Sequence, residues 1–190
     1  MKNKNIRLFF YSLSFTLLAI IASTAYASHA SDQLRMDTPK ITRPAPDFTL
    51  HDLAGRTVQL SDYTGKVVLL NFWASFCAPC IEEMPSLQQL WETYGPDEFA
   101  VIGVAVDRET KPVAVEKFIE KFQLSFPIPL DPLGNVREAY EITKLPITYL
   151  INQDGQFIGR FIGERDWSSP AAHRTIKKLI QAKNNLLPPS

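Results

Sequence analysis

Two apolar rhythms alternate along this chain, and together they predict its elements. Residues 66–73, Lys-Val-Val-Leu-Leu-Asn-Phe-Trp, form an almost unbroken apolar run, the pattern of a strand buried on both faces. Residues 99–106 repeat it. Between them Leu87, Leu90, Trp91 and Tyr94 recur at i, i+3, i+4 and i+7, which predicts an amphipathic helix stopped by Gly95 and Pro96. Strand, helix and strand in that order make a β-α-β unit with parallel strands. Ahead of it, short runs at 48–50 and 58–60 flank Ala54 and Gly55 as a small hairpin. Behind it, Val115, Phe118, Ile119 and Phe122 mark a second helix, residues 126–130 a short strand, and Val136, Ala139 and Tyr140 a short helix. Residues 147–151 and 157–161 then form a hairpin through Asp154 and Gly155. A last helix starts at Ser168 or Ser169 with Pro170 in its first turn, and turns Ala172, Ile176, Leu179 and Ile180 inward.

The N-terminus breaks this pattern. Lys2, Lys4 and Arg7 precede a stretch, residues 8–31, without Asp, Glu, Lys or Arg, and Ala25-Tyr26-Ala27 supplies a small-x-small cleavage signal. Residues 1–27 therefore read as a secretory signal peptide cleaved after Ala27. Its apolar core, interrupted by Ser12, Ser14 and Thr16, is shorter than the roughly 20 residues of a spanning helix. Uncleaved and extended through residues 19–27, it would serve as a membrane anchor. Residues 28–44 are polar, lack either period and read as a tether; residues 45–183 form one domain, and 184–190 a frayed tail. The chain of 190 residues carries 20 basic and 20 acidic side chains; without residues 1–27 the balance is 17 to 20, a net charge of −3. That balance offers no electrostatic footing for nucleic acid.

The two cysteines, Cys77 and Cys80, change the picture most. A disulfide closing a four-residue loop contributes only about 2 kcal/mol in the chain-entropy model, against about 3 for fifteen residues, so stability is a poor reason for the pair. A zinc site needs further ligands, and His29, His51 and His173 are scattered singly. Redox chemistry remains. Cys-Ala-Pro-Cys follows a buried strand and opens a helix, whose N-terminal partial charge lowers the pKa of a thiol on its first turn. Cys77 is thus expected to be the exposed nucleophile, and Cys80, three residues on, the buried resolving thiol.

Residues 71–85, Asn-Phe-Trp-Ala-Ser-Phe-Cys-Ala-Pro-Cys-Ile-Glu-Glu-Met-Pro, resemble the active-site stretch of TlpA-like and ResA-like extracytoplasmic thioredoxin-family proteins. Pro-Asp-Phe-Thr-Leu at 46–50, Leu-Ser-Asp-Tyr-Thr-Gly-Lys-Val at 60–67 and Leu-Pro-Ile-Thr-Tyr-Leu-Ile at 145–151 extend the resemblance over residues 45–183. The resemblance implies an α/β thioredoxin fold with an N-terminal β-hairpin and an inserted α-β unit in the middle. It also implies a redox pair of Cys77 and Cys80, an acid, Glu83, beside it, and a cis-proline, Pro146, facing the disulfide. Leu145 would offer backbone N–H and C=O groups to an extended substrate peptide.

Read as residues, these positions carry different weight. Glu83 lies three residues after Cys80 on one helix face and is suited to move a proton if burial raises its pKa; otherwise it is a solvated acid at a helix start, like Glu82. Ordinary thioredoxins have Asp on the preceding strand where this chain has Asn71, which favours Glu83 as the acid. Pro146, before a strand, reads as trans from residue statistics alone. Pro85 predicts a kink. Trp73, Phe76 and Trp91 read as core or site-wall aromatics.

Competing functions fit less well. A peroxidase of this fold would place Thr or Ser where Ala74 stands, and copper-handling relatives use Cys-x-x-x-Cys-Pro with a distal His, whereas Ile81 follows Cys80 here. Proteins dedicated to apocytochrome c reduction carry Gly-Ala-Pro-Glu where this chain has Lys144, Leu145, Pro146 and Ile147. The expectation is a monomeric, periplasmic or otherwise extracytoplasmic thiol:disulfide oxidoreductase that reduces protein disulfides, with cytochrome c maturation as one setting and disulfide introduction or metal handling as the alternatives. Electrons would come from a membrane-embedded thiol donor, and neither cofactor nor metal is required because the cysteine pair carries two electrons.

Overall fold

The computed structural model describes residues 36–37, 43–108 and 113–184. The expected signal segment, most of the expected tether and the tail from 185 lie outside the described residues. Strands β1 (Thr49–His51) and β2 (Thr57–Gln59) pair as an antiparallel hairpin, followed by a 3-10 turn over Leu60–Tyr63. Then come β3 (Val67–Trp73), α1 (Ala78–Tyr94), β4 (Phe99–Ala105), α2 (Val113–Phe122), α3 (Asn135–Ala139), β5 (Ile147–Ile151), β6 (Phe157–Ile162) and α4 (Pro170–Asn184).

The four longer strands form one sheet in the order β4-β3-β5-β6. Every residue of β3 and β4 is buried, as their unbroken apolar runs require, and the two are parallel. Strand β5 runs antiparallel to β3, with Asn71 opposite Thr148 and Phe72 opposite Ile147. The C-terminal end of β3 and the start of β5 therefore share one edge of the sheet. On one face Val68, Leu70 and Phe72 pack with Tyr140, Tyr149 and Phe157. Side chains alternate along a strand, so Leu69, Asn71 and Trp73 point to the other face, where α1 and α4 lie. Tyr94 of α1 and His173 of α4 meet there, with the Tyr94 hydroxyl 3.1 Å from His173 Nδ1.

One local reading changes, and one is narrowed. Residues 126–130 are extended but form no regular strand. Pro127 and Pro129 have no N–H, so only their carbonyls pair, accepting from Gly103 N and Ala105 N at 2.9 Å each. Phe76 is no core residue: it is 75% exposed. In α2 only Val115 is buried, while Phe118 and Phe122 stack on each other half-buried. The polar segment before the domain touches the fold where it is described. Asp37 bridges to Arg160 on the outer edge of β6 and Pro44 to Gln156 just before that strand, and a side chain in place of Gly159 would collide with Met36. Among the described residues no helix is long and apolar enough to cross a membrane.

Candidate active site

The site is assembled where β3 gives way to α1. Cys77 is the N-cap of α1 in extended conformation, its carbonyl accepts from Ile81 N, and Pro79 occupies the first turn, where a missing N–H is no loss. The loop before it is held from β4's end: the Asp107 carboxylate accepts from the backbone N and the hydroxyl of Ser75. Cys77 and Cys80 form a disulfide, Cys77 partly exposed and Cys80 fully buried. This is the asymmetry expected of an attacking and a resolving sulfur.

One turn after Cys80, Glu83 is 3% exposed. Its Oε1 accepts from Asn71 Nδ2 at 2.7 Å; its Oε2 accepts from Arg165 N at 3.1 Å and Trp167 Nε1 at 3.2 Å. Burial, the largest influence, pushes its pKa up to about 7, against the pull of these three donors and of the Arg165 charge. The reading of Glu83 as a solvated helix-start acid is excluded by this burial, and Glu82 alone remains exposed. The connection between β6 and α4, which supplies Arg165 and Trp167, lies more than 80 residues from Glu83, and nothing local in the sequence pointed to it. Asn71 was noticeable as an amide where an acid is usual, but not as a donor to Glu83. Glu82, Glu83, Ser86, Glu164, Arg165 and Asp166 line an open cleft beside the buried carboxyl.

The Leu145–Pro146 peptide bond is cis, as the resemblance implied and contrary to residue statistics. Because Phe72 faces Ile147, this segment sits at the same sheet edge as the loop carrying Cys77. Pro146 is buried and its carbonyl accepts from Gly163 N, while Leu145 is half-exposed. Helix α1 continues through Pro85 to Tyr94. His51 lies near Thr57 on the hairpin and His173 against Tyr94; neither joins the site.

An arrangement of this kind, a surface disulfide with one buried sulfur and a buried acid of neutral pKa beside it, can carry thiol exchange. Comparison with known proteins agrees on the thiol chemistry. The AhpC/TSA family model matches residues 41–158. The thiol-disulfide oxidoreductase ResA of Bacillus cereus is 34% identical over 162 residues, 85% of this chain and 91% of the relative. The thioredoxin domain of a thiol-disulfide oxidoreductase from Bacteroides vulgatus superposes with a TM-score of 0.63 at 25% identity, covering 76% of this chain and 99% of that one. An exposed lipoprotein thioredoxin from Streptococcus pneumoniae does so with a TM-score of 0.61 at 28% identity, covering 70% and 100%. The chain belongs to the AhpC/TSA family and is a ResA-like thiol-disulfide oxidoreductase of thioredoxin fold.

Proposed function

We propose that this oxidoreductase works outside the cytoplasm as a reductant of protein disulfides, with Cys77 as nucleophile, Cys80 as resolving thiol and Glu83 as proton-handling acid. The observation that carries the reading is the contrast between the accessible Cys77 and the buried Cys80 and Glu83 one turn apart on α1. The Cys77 thiolate attacks a client disulfide, forms a mixed disulfide and releases one client thiolate. Cys80 then gives up its proton and attacks Cys77 Sγ; the second client thiolate leaves, and the Cys77–Cys80 disulfide takes the place of the client's. Two electrons pass to the client. Leu145 supplies backbone groups to an extended client segment beside Pro146, and a membrane-embedded thiol donor restores the reduced pair.

A polypeptide client suits the surface. Phe76, 75% exposed, precedes Cys77, and Leu133, 81% exposed, follows Asp131, whose N–H bonds to the last residue of β4. Ile162, also exposed, ends β6 at the same sheet edge. Apocytochrome c before haem attachment is the most specific client we consider. Mixed disulfides collected on a Cys80→Ala variant in cells test it: apocytochrome c among them supports that setting, and its absence moves the client elsewhere.

The direction of electron flow follows from what surrounds the thiolate. Ala78 and Pro79 add no charge or donor to stabilise it, and Glu82 adds negative charge, with Glu83 contributing as it ionises near pH 7. A less stabilised thiolate means a disulfide that is harder to reduce. Equilibration against glutathione is expected to give a potential near the thioredoxin end, about −270 mV, and far from the roughly −120 mV of strong oxidants. A value near the oxidant end makes the protein a disulfide-introducing enzyme. Export is checked by fractionation: the processed chain should begin at Ser28 outside the cytoplasm. A full-length form in the membrane favours the anchor, and recovery in the cytosol defeats both.

A further inference from the structure

The hydrogen bonds around Glu83 are one-sided. All three of its partners donate. That set suits a carboxylate, yet a carboxylic acid in the same place would carry an O–H with nothing to receive it. Arg165 N and Trp167 Nε1 cannot change roles, because a backbone N–H and an indole N–H are donors only. Asn71 can, since its amide carries a donor and an acceptor on one pivot. Its Nδ2 donates to Glu83 and, at 2.9 Å, to Thr148 Oγ1. Its Oδ1 is buried without a hydrogen-bond partner, the one such side-chain atom found among the described residues. Native interiors seldom leave an acceptor in this condition, and an orphan of this kind asks for an explanation.

We propose that Asn71 is a two-position amide switch that follows the proton on Glu83. With the carboxylate, Nδ2 faces Glu83 and Thr148. When Glu83 takes a proton, the amide turns by half a rotation about Cβ–Cγ, and Oδ1 accepts from Glu83 Oε1–H and from the Thr148 hydroxyl, which serves equally as donor or acceptor. The covalent change is the O–H bond that forms on Glu83 Oε1 as the proton arrives; two hydrogen bonds reverse direction, and Nδ2 takes the place that Oδ1 leaves. Asn71 is thereby a positioning residue for the exchange reaction, and it links two distant parts of the site. Thr148 lies opposite it on β5, two residues after Pro146, so the protonation state of the acid is passed to the strand that begins at the client-binding segment.

The charged groups facing Glu83 are few. Arg165 lies beside it with its guanidinium on the carbonyls of Gly163 and Glu164; Glu82, Glu164 and Asp166 border the cleft, and Cys80 stands one turn earlier on α1. Neither Asn71 nor Thr148 titrates, so their response to pH is borrowed from Glu83. The inference rests on the proposed role of Glu83 as the group that takes and returns a proton, and its test separates the two.

In the intact oxidised protein, the Glu83 side-chain carboxyl carbon and the Asn71 side-chain amide can both be followed by nuclear magnetic resonance from pH 5 to 9. The expected result is one shared midpoint, with scalar coupling from Asn71 Nδ2 to the Glu83 carboxyl across the hydrogen bond present above it and lost below it. In Glu83→Gln the new side chain must offer its carbonyl to Arg165 N and Trp167 Nε1, which points its NH2 at Asn71. The Asn71 amide should then be reversed at every pH, its NH2 protons no longer close to the Thr148 side chain. A Glu83 carboxyl that titrates while the Asn71 coupling persists through the whole range overturns the switch and leaves the acid's role standing. A carboxyl that does not titrate in this range overturns both.

Discussion

Replacing Cys77 with serine abolishes reduction of a model protein disulfide, whereas Cys80→Ser still forms mixed disulfides and then stalls. The expectation follows from placement. Cys77 caps α1, where the partial positive charge of the helix end and unpaired N–H groups stabilise a thiolate, and it is partly exposed. Cys80 is fully buried, which disfavours its charged form and denies it large reagents. Turnover should fall to background in both variants, but only Cys80→Ser should yield a client complex that dissolves on adding a small thiol. Alkylation of the reduced protein at neutral pH provides the independent check: label entering Cys80 faster than Cys77 would reverse the assignment.

Glu83→Gln should slow thiol exchange on the order of 10²-fold while making the protein more stable in alkali. The sign follows from burial. The folded-state pKa, about 7, lies above the ordinary 4.5, so the group's contribution to stability is fully present below about pH 4.5 and is lost as pH rises through about 7. Above that, the native protein holds a buried carboxylate at a net penalty of about 3 kcal/mol, what is left of desolvation after the three hydrogen bonds and the Arg165 charge have offset part of it. Denaturant unfolding at pH 5 should therefore show little difference between the two proteins, and at pH 8.5 the variant should be the more stable. The exchange rate of the native protein should change with a midpoint near pH 7 that the variant lacks. Rates unchanged from pH 5 to 9 would leave Glu83 a structural acid.

The parts of this protein that were legible in the sequence are those fixed by local pattern. Val67–Trp73 and Phe99–Ala105 are strands buried on both faces because nearly every side chain in them is apolar, and α1 ends at Gly95 and Pro96 as its stripe required. The cysteine pair was legible for the same reason: three residues on a helix start set both its spacing and the division between its sulfurs. Residues 126–130 form no regular strand because an apolar run says nothing of missing donors, and Pro127 and Pro129 can pair only through their carbonyls. Phe76 was open between core and site wall because an aromatic beside a cysteine has the same composition signature in either place, and its exposure excludes the core.

By itself, then, the sequence determined the order of the main elements and the closeness of the two cysteines, since periodicity, turn residues and the Cys-Ala-Pro-Cys spacing act over a few residues at a time, while the thioredoxin fold was implied by the resemblance of four separated segments. Tertiary structure decided the chemistry around the pair. Glu83 has the same neighbours in sequence as the exposed Glu82, and only the packing of α1 against β3 and the connection into α4 buries one and not the other. Asn71 and Thr148 meet through a strand register 77 residues long in sequence, and the cis bond at Pro146 contradicts what X-Pro statistics favour. Desolvation and hydrogen-bond direction depend on which groups are brought together from far apart, and that is information no local pattern carries.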